Sequence, residues 1–111
     1  MSSLTVEDVV KEVARMLRGF VVCEMYSVVD RLANATSKEA VQEALYEALR
    51  AARAAQGSEL CEKTEPYVAS EEAVDYVLRK LDENLLEGLE IVRKIVIRAL
   101  AMPLKKEEKA G

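Results

Sequence analysis

Apolar residues recur at alternating spacings of four and three along residues 70–102, and this pattern constrains the fold more than any other feature of the chain. Spacing of this kind, sustained over several heptads, is typical of a helix that packs along its whole length. Further apolar residues widen the stripe after Leu89, so this helix needs cover on several sides. We therefore predict one long helix from Ser70 to Met102 at the centre of a bundle. Its seam is Val74, Leu78, Leu81, Leu85, Gly88, Val92, Ile95, Ala99 and Met102.

Gly88 falls on this seam. A glycine in a helix costs roughly 1 kcal/mol of propensity but lets another backbone approach closely. We expect such a close approach at Gly88. At Leu85, on the same seam, we expect a buried side chain, so that Leu85→Asp would severely destabilise the bundle by burying an unpaired charge.

Composition limits the chain to one small helical domain. It has 111 residues, of which 50% are hydrophobic and only 5% aromatic, so the core must be built from Val, Leu, Ile, Ala and Met. The formal net charge is −4, which argues against a protein that coats nucleic acid by bulk charge. A local basic strip is still compatible with this balance.

Two further helices precede the central one. Thr5 is a suitable N-cap for a first helix that runs to about Ala33, and Gly19 in its middle suggests a kink or a tight crossing. Asn34 can end that helix in a left-handed conformation. A capping box of Thr36 and Glu39 then starts a second helix, which extends to about Gln56 and is closed by Gly57.

These signals predict an all-α fold. It is a bundle of three main helices, two long and one shorter, and the loop over residues 58–69 between the second and third has room for a single helical turn. Ser70 is the N-cap of the third helix and Pro103 ends it. We expect one domain over residues 1–104 and a disordered charged tail over residues 105–111.

The chain shows no sign of export or of a membrane anchor. No run of 18 apolar residues is present, and the N-terminus lacks a basic start and an apolar signal core. We therefore expect a cytoplasmic protein with no membrane contact.

The two cysteines suggest no zinc site, because Cys23 and Cys61 form no Cys-x-x-Cys motif and the chain has no histidine. We expect two buried thiols. A disulfide is the alternative in a hyperthermophile, towards which the scarcity of Asn and Gln and the abundance of Glu and Arg lean.

Catalytic residues are scarce. Without histidine no nucleophile–base pair can be assembled, and the remaining candidates are carboxylates. Glu59, Glu62, Glu72 and Asp75 form a Glu-x-x-Glu and a Glu-x-x-Asp pair that resemble the Mg²⁺-binding set of MazG-type nucleotide pyrophosphatases. The pairs lie only a short loop apart and Pro66 intervenes, so we expect solvated charge, no enzyme, no cofactor and no small-molecule substrate.

Basic residues are more informative by position than by number. Arg15 with Arg18, and Arg50 with Arg53, are i, i+3 pairs that place two cations on one helix face. Arg93, Lys94 and Arg98 lie in the stretch from Ile91 to Lys106, which contains no acidic residue. Such groups can hold backbone phosphates without reading sequence, although a solvated surface is the ordinary alternative.

The segment Tyr26–Ala35, continuing through Ala40-Val41 to Leu45–Arg50, resembles the central part of the small subunit of archaeal type I-A CRISPR effector complexes. The resemblance implies a short, all-helical, cytoplasmic and non-catalytic protein of thermophilic archaea. It would stack in several copies beside other effector subunits and help to hold guide RNA and target DNA. The nucleic-acid-binding candidates are then Arg15, Arg18, Arg31, Arg50 and Arg53, followed by Arg93, Lys94 and Arg98.

A second hypothesis is a homo-oligomeric helical adaptor or structural protein that binds no nucleic acid. The two long helices extend past the shorter one, and the apolar residues left over need cover. Self-association is the simplest source of that cover under either hypothesis.

Overall fold

The fold is an all-α bundle, as the sequence predicts. A computed structural model describes residues 4–61 and 64–101, and within these ranges the chain forms five helices and no strand. The helices are α1 (Val6–Val22), α2 (Ser27–Ala33), α3 (Lys38–Ala54), α4 (Glu71–Glu83) and α5 (Leu85–Ala101). The predicted helix end at Pro103 and the predicted tail lie outside the described residues.

The first helix begins where the sequence places it. The Thr5 hydroxyl accepts a hydrogen bond from the Asp8 backbone N–H at 3.1 Å, and the Asp8 carboxylate accepts one from the Thr5 N–H at 3.3 Å. This reciprocal capping box satisfies two N–H groups that have no partner within the helix.

The predicted continuous helix to Ala33 is wrong, because the chain breaks between α1 and α2. Glu24 adopts a left-handed conformation with φ 59°. The Met25 N–H donates to the Phe20 carbonyl at 2.8 Å, and the Glu24 N–H donates to the Val21 carbonyl at 3.0 Å. These two bonds form a Schellman motif, which ends a helix and usually has glycine at the left-handed position.

The turn between α2 and α3 also differs in detail from the prediction. Asn34 ends α2 with φ −102°, outside the left-handed region, and its side-chain amide donates to the Asp30 carbonyl at 2.9 Å. Ser37, not Thr36, caps α3, since its hydroxyl accepts from the Ala40 N–H at 3.2 Å. Further along, α3 ends at Ala54, and Gly57 with φ 84° turns the chain away.

The long central helix is interrupted at Asn84. This residue is extended, with φ −157° and ψ 105°, and its N–H ends α4 by donating to the Lys80 carbonyl at 2.9 Å. Its side-chain oxygen accepts from the Glu87 N–H at 3.2 Å, and its carbonyl accepts from the Gly88 N–H at 2.9 Å. Asn84 therefore ends one helix and caps the next. Ser70 is the N-cap of α4, as predicted.

The break changes which seam residues are buried. Leu85 is 42% exposed, so its predicted burial is wrong, and the reason given for a severe effect of Leu85→Asp no longer holds. The predicted close approach at Gly88 is confirmed, because a Cβ there would lie 2.7 Å from the Leu81 Cα. The other seam residues of α4 and α5 that the structure describes are buried.

The helices pack in a body of 42 × 33 × 25 Å. α5 packs mainly on α1 and α4, and α2 packs on α3. A salt bridge of 3.0 Å between Glu7 and Arg98 joins the N-terminal end of α1 to the C-terminal end of α5, so these two helices are antiparallel. None of the helices in the described part of the chain has the length and apolar character needed to cross a membrane.

The two cysteines are joined, so the expectation of buried free thiols is wrong and the alternative holds. Cys23 and Cys61 form a disulfide with a Cα–Cα distance of 5.8 Å. It ties the C-cap of α1 to the connection between α3 and α4. Gly19 of α1 leaves room for this connection, since a Cβ on it would lie 3.3 Å from the Leu60 side chain.

Candidate nucleic-acid interface

Three adjoining depressions follow the exposed face of α3, and we call them together the α3 groove. The first, between α3 and α4, has a volume of about 200 Å³, and the second, between α2 and α3, about 320 Å³. Tyr46 and Arg50 line both of these. A third depression of about 360 Å³ lies beside the α2–α3 turn and shares Arg31 with the second.

The spacing of residues along α3 produces this groove. Tyr46, Arg50 and Arg53 follow one another at intervals of four and three and therefore share a face. The opposite face carries the buried residues Ala44, Leu45 and Ala48, which fix α3 against the core. Of the predicted nucleic-acid-binding residues, the structure brings Arg31, Arg50 and Arg53 together in this groove.

Two of the three groove arginines are held by ion pairs. Arg31 Nη1 lies 2.6 Å from Glu47 Oε1, and Arg53 Nη2 lies 2.9 Å from Glu71 Oε2. All four side chains are 41–73% exposed, so each pair contributes only about 0–1 kcal/mol. Arg50 makes no ion pair with any residue that the structure describes. Among the described residues, Arg50 is thus the groove arginine without an ion pair, and the other two are weakly held.

Further carboxylates make the groove mixed in charge. Glu43 lines the second and third depressions, and Asp75 lines the first. A polyanion in the groove would therefore meet cations that already have competing carboxylates beside them. Its binding would depend on replacing those carboxylates by phosphate oxygens.

The predicted pair Arg15 and Arg18 does not form a common surface. Arg15 is exposed and stacks over the Tyr67 ring, 4.3 Å from its centroid. Arg18 is only 5% exposed and interacts with other groups of the chain. The expectation that both cations face solvent is therefore not met for Arg18, because helix α1 places it inside the bundle.

The predicted cations of α5 lie apart from the groove. Arg93 and Lys94 are exposed on the outward face of α5, and neither lines any of the three depressions. Arg98 is paired with Glu7. The eight predicted residues thus divide into three in the groove, two on α1 and three on α5.

Sequence reasoning missed Tyr46 and the paired carboxylates. Tyr46 could have been found, since it precedes Arg50 by four residues on the same face. The partners Glu47 and Glu71 are 16 and 18 residues from their arginines, and no local spacing indicates such contacts.

The carboxylates considered for Mg²⁺ do not assemble a site in the described part of the chain. Glu72 lies in the first turn of α4, and Asp75 lines the groove. Glu62 is outside the described residues. Among the residues described, no three His, Cys, Asp or Glu side chains are grouped so that they could hold a metal ion.

Comparison with known proteins gives one match. A family model described as CRISPR-associated protein (Cas_Csa5) matches residues 16–102, which include the last seven residues of α1 and all of α2 to α5. Neither the curated proteins nor the solved structures include a significant match to the chain.

Proposed function

Because the chain belongs to the CRISPR-associated protein (Cas_Csa5) family, the small subunit of type I-A Cascade, we propose that its α3 groove contacts nucleic-acid backbone within that effector complex. Membership of the family makes the chain a CRISPR-associated protein that works with other effector subunits. The proposal adds the surface and the ligand to this membership.

The observation that carries the proposal is the convergence of Arg31, Arg50 and Arg53 on one groove. The three guanidinium groups come from two helices that follow one another in the chain, Arg31 from α2 and the other two from α3. Guanidinium groups bind phosphate oxygens through two parallel hydrogen bonds, and they do so without reading bases. In guide-RNA complexes base pairing reads the sequence, so a subunit that holds only the backbone is suited to this task.

The energies allow phosphate to replace the groove carboxylates. An exposed ion pair contributes about 0–1 kcal/mol, whereas each phosphate contact also gains from the release of a condensed counterion. Arg50 has no such pair with a described residue to give up. We therefore infer that it makes the first contact, and that Arg31 and Arg53 follow by exchanging Glu47 and Glu71 for phosphate.

The remaining parts of the proposed role are those that the family resemblance implies. The subunit is non-catalytic, associates with further copies of itself along the complex, and supports binding of guide RNA and target DNA in the cytoplasm. Its small net negative charge is consistent with a protein that meets nucleic acid within a complex and does not coat it alone.

The proposal is tested by photo-crosslinking in the assembled complex. The tagged chain is purified from its source with and without RNase, and the effector complex is then crosslinked to DNA or RNA that carries photoreactive bases. We expect crosslinked peptides from α3 and the N-terminal turn of α4. Recovery of the chain without other effector subunits or guide RNA, or crosslinks confined to other surfaces, would contradict the proposal.

A further inference from the structure

Helix α5 has an unusual concentration of exposed apolar side chains. Of the six large hydrophobic residues that are exposed in the described part of the chain, four lie on α5. Leu86 is 77% exposed and Ile97 is 63% exposed. Single exposed apolar residues are ordinary, but a cluster on one helix indicates an interaction surface. The four residues are Leu85, Leu86, Ile97 and Leu100.

The spacing of the residues on one face of α5 is symmetric about the middle of the helix. Leu86, Glu90, Arg93 and Ile97 follow one another at intervals of four, three and four, so that they share one face of the helix. An apolar residue lies at each end, and two opposite charges lie between them. Glu90 and Arg93 are exposed, and neither forms a salt bridge with another described residue.

We propose that α5 pairs with α5 of a second copy of the chain, antiparallel across a two-fold axis at its middle. In the register that places Leu86 against Ile97 of the other copy, Glu90 faces Arg93. A two-fold axis repeats both contacts, so one surface supplies both halves of the interface. A two-fold pair closes on itself, so this contact is additional to the row of copies in the proposed function, and the inference goes beyond that function.

Charge complementarity selects this arrangement over the parallel one. In a parallel pair, Glu90 would face Glu90 and Arg93 would face Arg93, and like charges held together at an interface cost several kcal/mol. In an antiparallel pair each flank of the helix also meets the same flank of its partner. Glu87 and Lys94 lie on a common flank, and the same register brings Glu87 near Lys94 of the other copy.

The same pattern favours a second copy over a different protein. The face is complementary to a second copy of itself, both in its apolar residues and in its charges. Another subunit would have to present a different helix with the matching pattern. The α3 groove contains no residue of α5, so a pair formed through α5 leaves both grooves open.

A charge-reversal cycle tests the pairing. The full chain and the variants Glu90→Arg, Arg93→Glu and Glu90→Arg/Arg93→Glu are compared by light scattering and sedimentation over a concentration series. We expect a mass of two chains for the unmodified protein. Each single reversal places like charges together twice and should weaken the pair about tenfold or more. The double reversal restores the opposite charges and should return the affinity to within about threefold.

Arg50→Glu is the matched control, because it reverses one exposed cation in the groove and should leave the pairing unchanged. Nucleic-acid binding measured on all variants separates this proposal from the proposed function. A groove variant that loses nucleic acid while pairing persists would leave the α5 proposal intact.

Three results would overturn the proposal. The first is that the unmodified chain is a monomer at every concentration. The second is that the single reversals leave self-association unchanged, and the third is that the double reversal does not restore it. If the unmodified chain is a monomer and the α5 variants instead lose a different effector subunit, the face belongs to that subunit. Thermal unfolding checks that the variants fold, and the substituted positions are exposed, so the melting temperature should change little.

Discussion

The Gly88 backbone in α5 passes so close to Leu81 in α4 that a Cβ on Gly88 would lie 2.7 Å from the Leu81 Cα. This approach follows from the break at Asn84, which lets α5 turn back beside α4. A straight helix from Ser70 onward would hold residues 81 and 88 two turns apart along its axis.

Gly88→Ala should therefore destabilise the protein, although alanine is the better helix former. Overpacking against backbone costs about 1–3 kcal/mol, which exceeds the propensity gain of roughly 1 kcal/mol. Urea unfolding measures the difference, and Lys11→Ala on the exposed face of α1 is the control. An unchanged or raised free energy of unfolding for Gly88→Ala would mean that the close approach is absent.

Glu24→Gly should stabilise the protein. Glu24 occupies a left-handed conformation, which costs a non-glycine residue about 1 kcal/mol, and glycine adopts it without strain. The greater freedom of glycine in the unfolded chain offsets part of this gain, so we expect a net increase of about 0.5 kcal/mol in the free energy of unfolding.

The melting temperatures of Glu24→Gly and Glu24→Val, compared with that of the unmodified protein, test the left-handed conformation at residue 24. The β-branched variant should have a lower melting temperature than the unmodified protein, and the glycine variant a higher one. The opposite order would show that α1 continues through this position as an unbroken helix.

Reducing the disulfide should lower the stability of the chain substantially. Cys23 and Cys61 are 38 residues apart, and closing a loop of that size is worth about 3–4 kcal/mol in the chain-entropy model. A dithiol reductant should therefore lower the melting temperature of the unmodified protein. Cys23→Ser/Cys61→Ser serves as the control and should melt at the same temperature with and without reductant.

Glu71→Gln should strengthen nucleic-acid binding. The Glu71 carboxylate holds Arg53 at 2.9 Å and competes with phosphate for it, and the amide keeps the shape without the charge. We expect the affinity to rise about threefold to tenfold, equivalent to about 0.7–1.4 kcal/mol. Asp82→Asn removes an exposed carboxylate that is paired with Lys38 outside the groove, and it should have a smaller effect. Equal effects of the two substitutions would mean that Glu71 influences binding only through the net charge of the chain and not through its pair with Arg53.

The sequence predicted the helical class, the cap residues Thr5 and Ser70, and the glycine at the close approach, because each depends on local spacing or side-chain type. It did not predict the breaks at Glu24 and Asn84. Apolar spacing continues across both positions, and neither has the glycine or proline that usually marks a helix end. Asn84 is itself a common N-cap residue, so its break had a local signal that the continuous apolar spacing concealed, whereas Glu24 carries no such signal. The exposure of Leu85 follows from the break at Asn84.

The candidate site was predicted only in part. The i, i+3 rule found Arg50 and Arg53, and the family resemblance added Arg31. The rule also selected Arg18, which faces the interior, because a helical spacing does not say which face is buried. The ion pairs of Arg31 and Arg53 join separate helices and so could not be read from sequence.

The central claim is that the α3 groove holds nucleic-acid backbone, and a salt-dependent binding series on the assembled effector complex tests it most directly. Arg50→Glu/Arg53→Glu is compared with Lys11→Glu/Arg79→Glu, which changes the net charge equally at exposed positions that do not line the groove. We predict that the groove variant binds target DNA at least about tenfold more weakly, with the slope of log affinity against log salt reduced by about one to two, while the control keeps both. Equal affinity and slope for the two variants, with both incorporated normally into the complex, would contradict the claim.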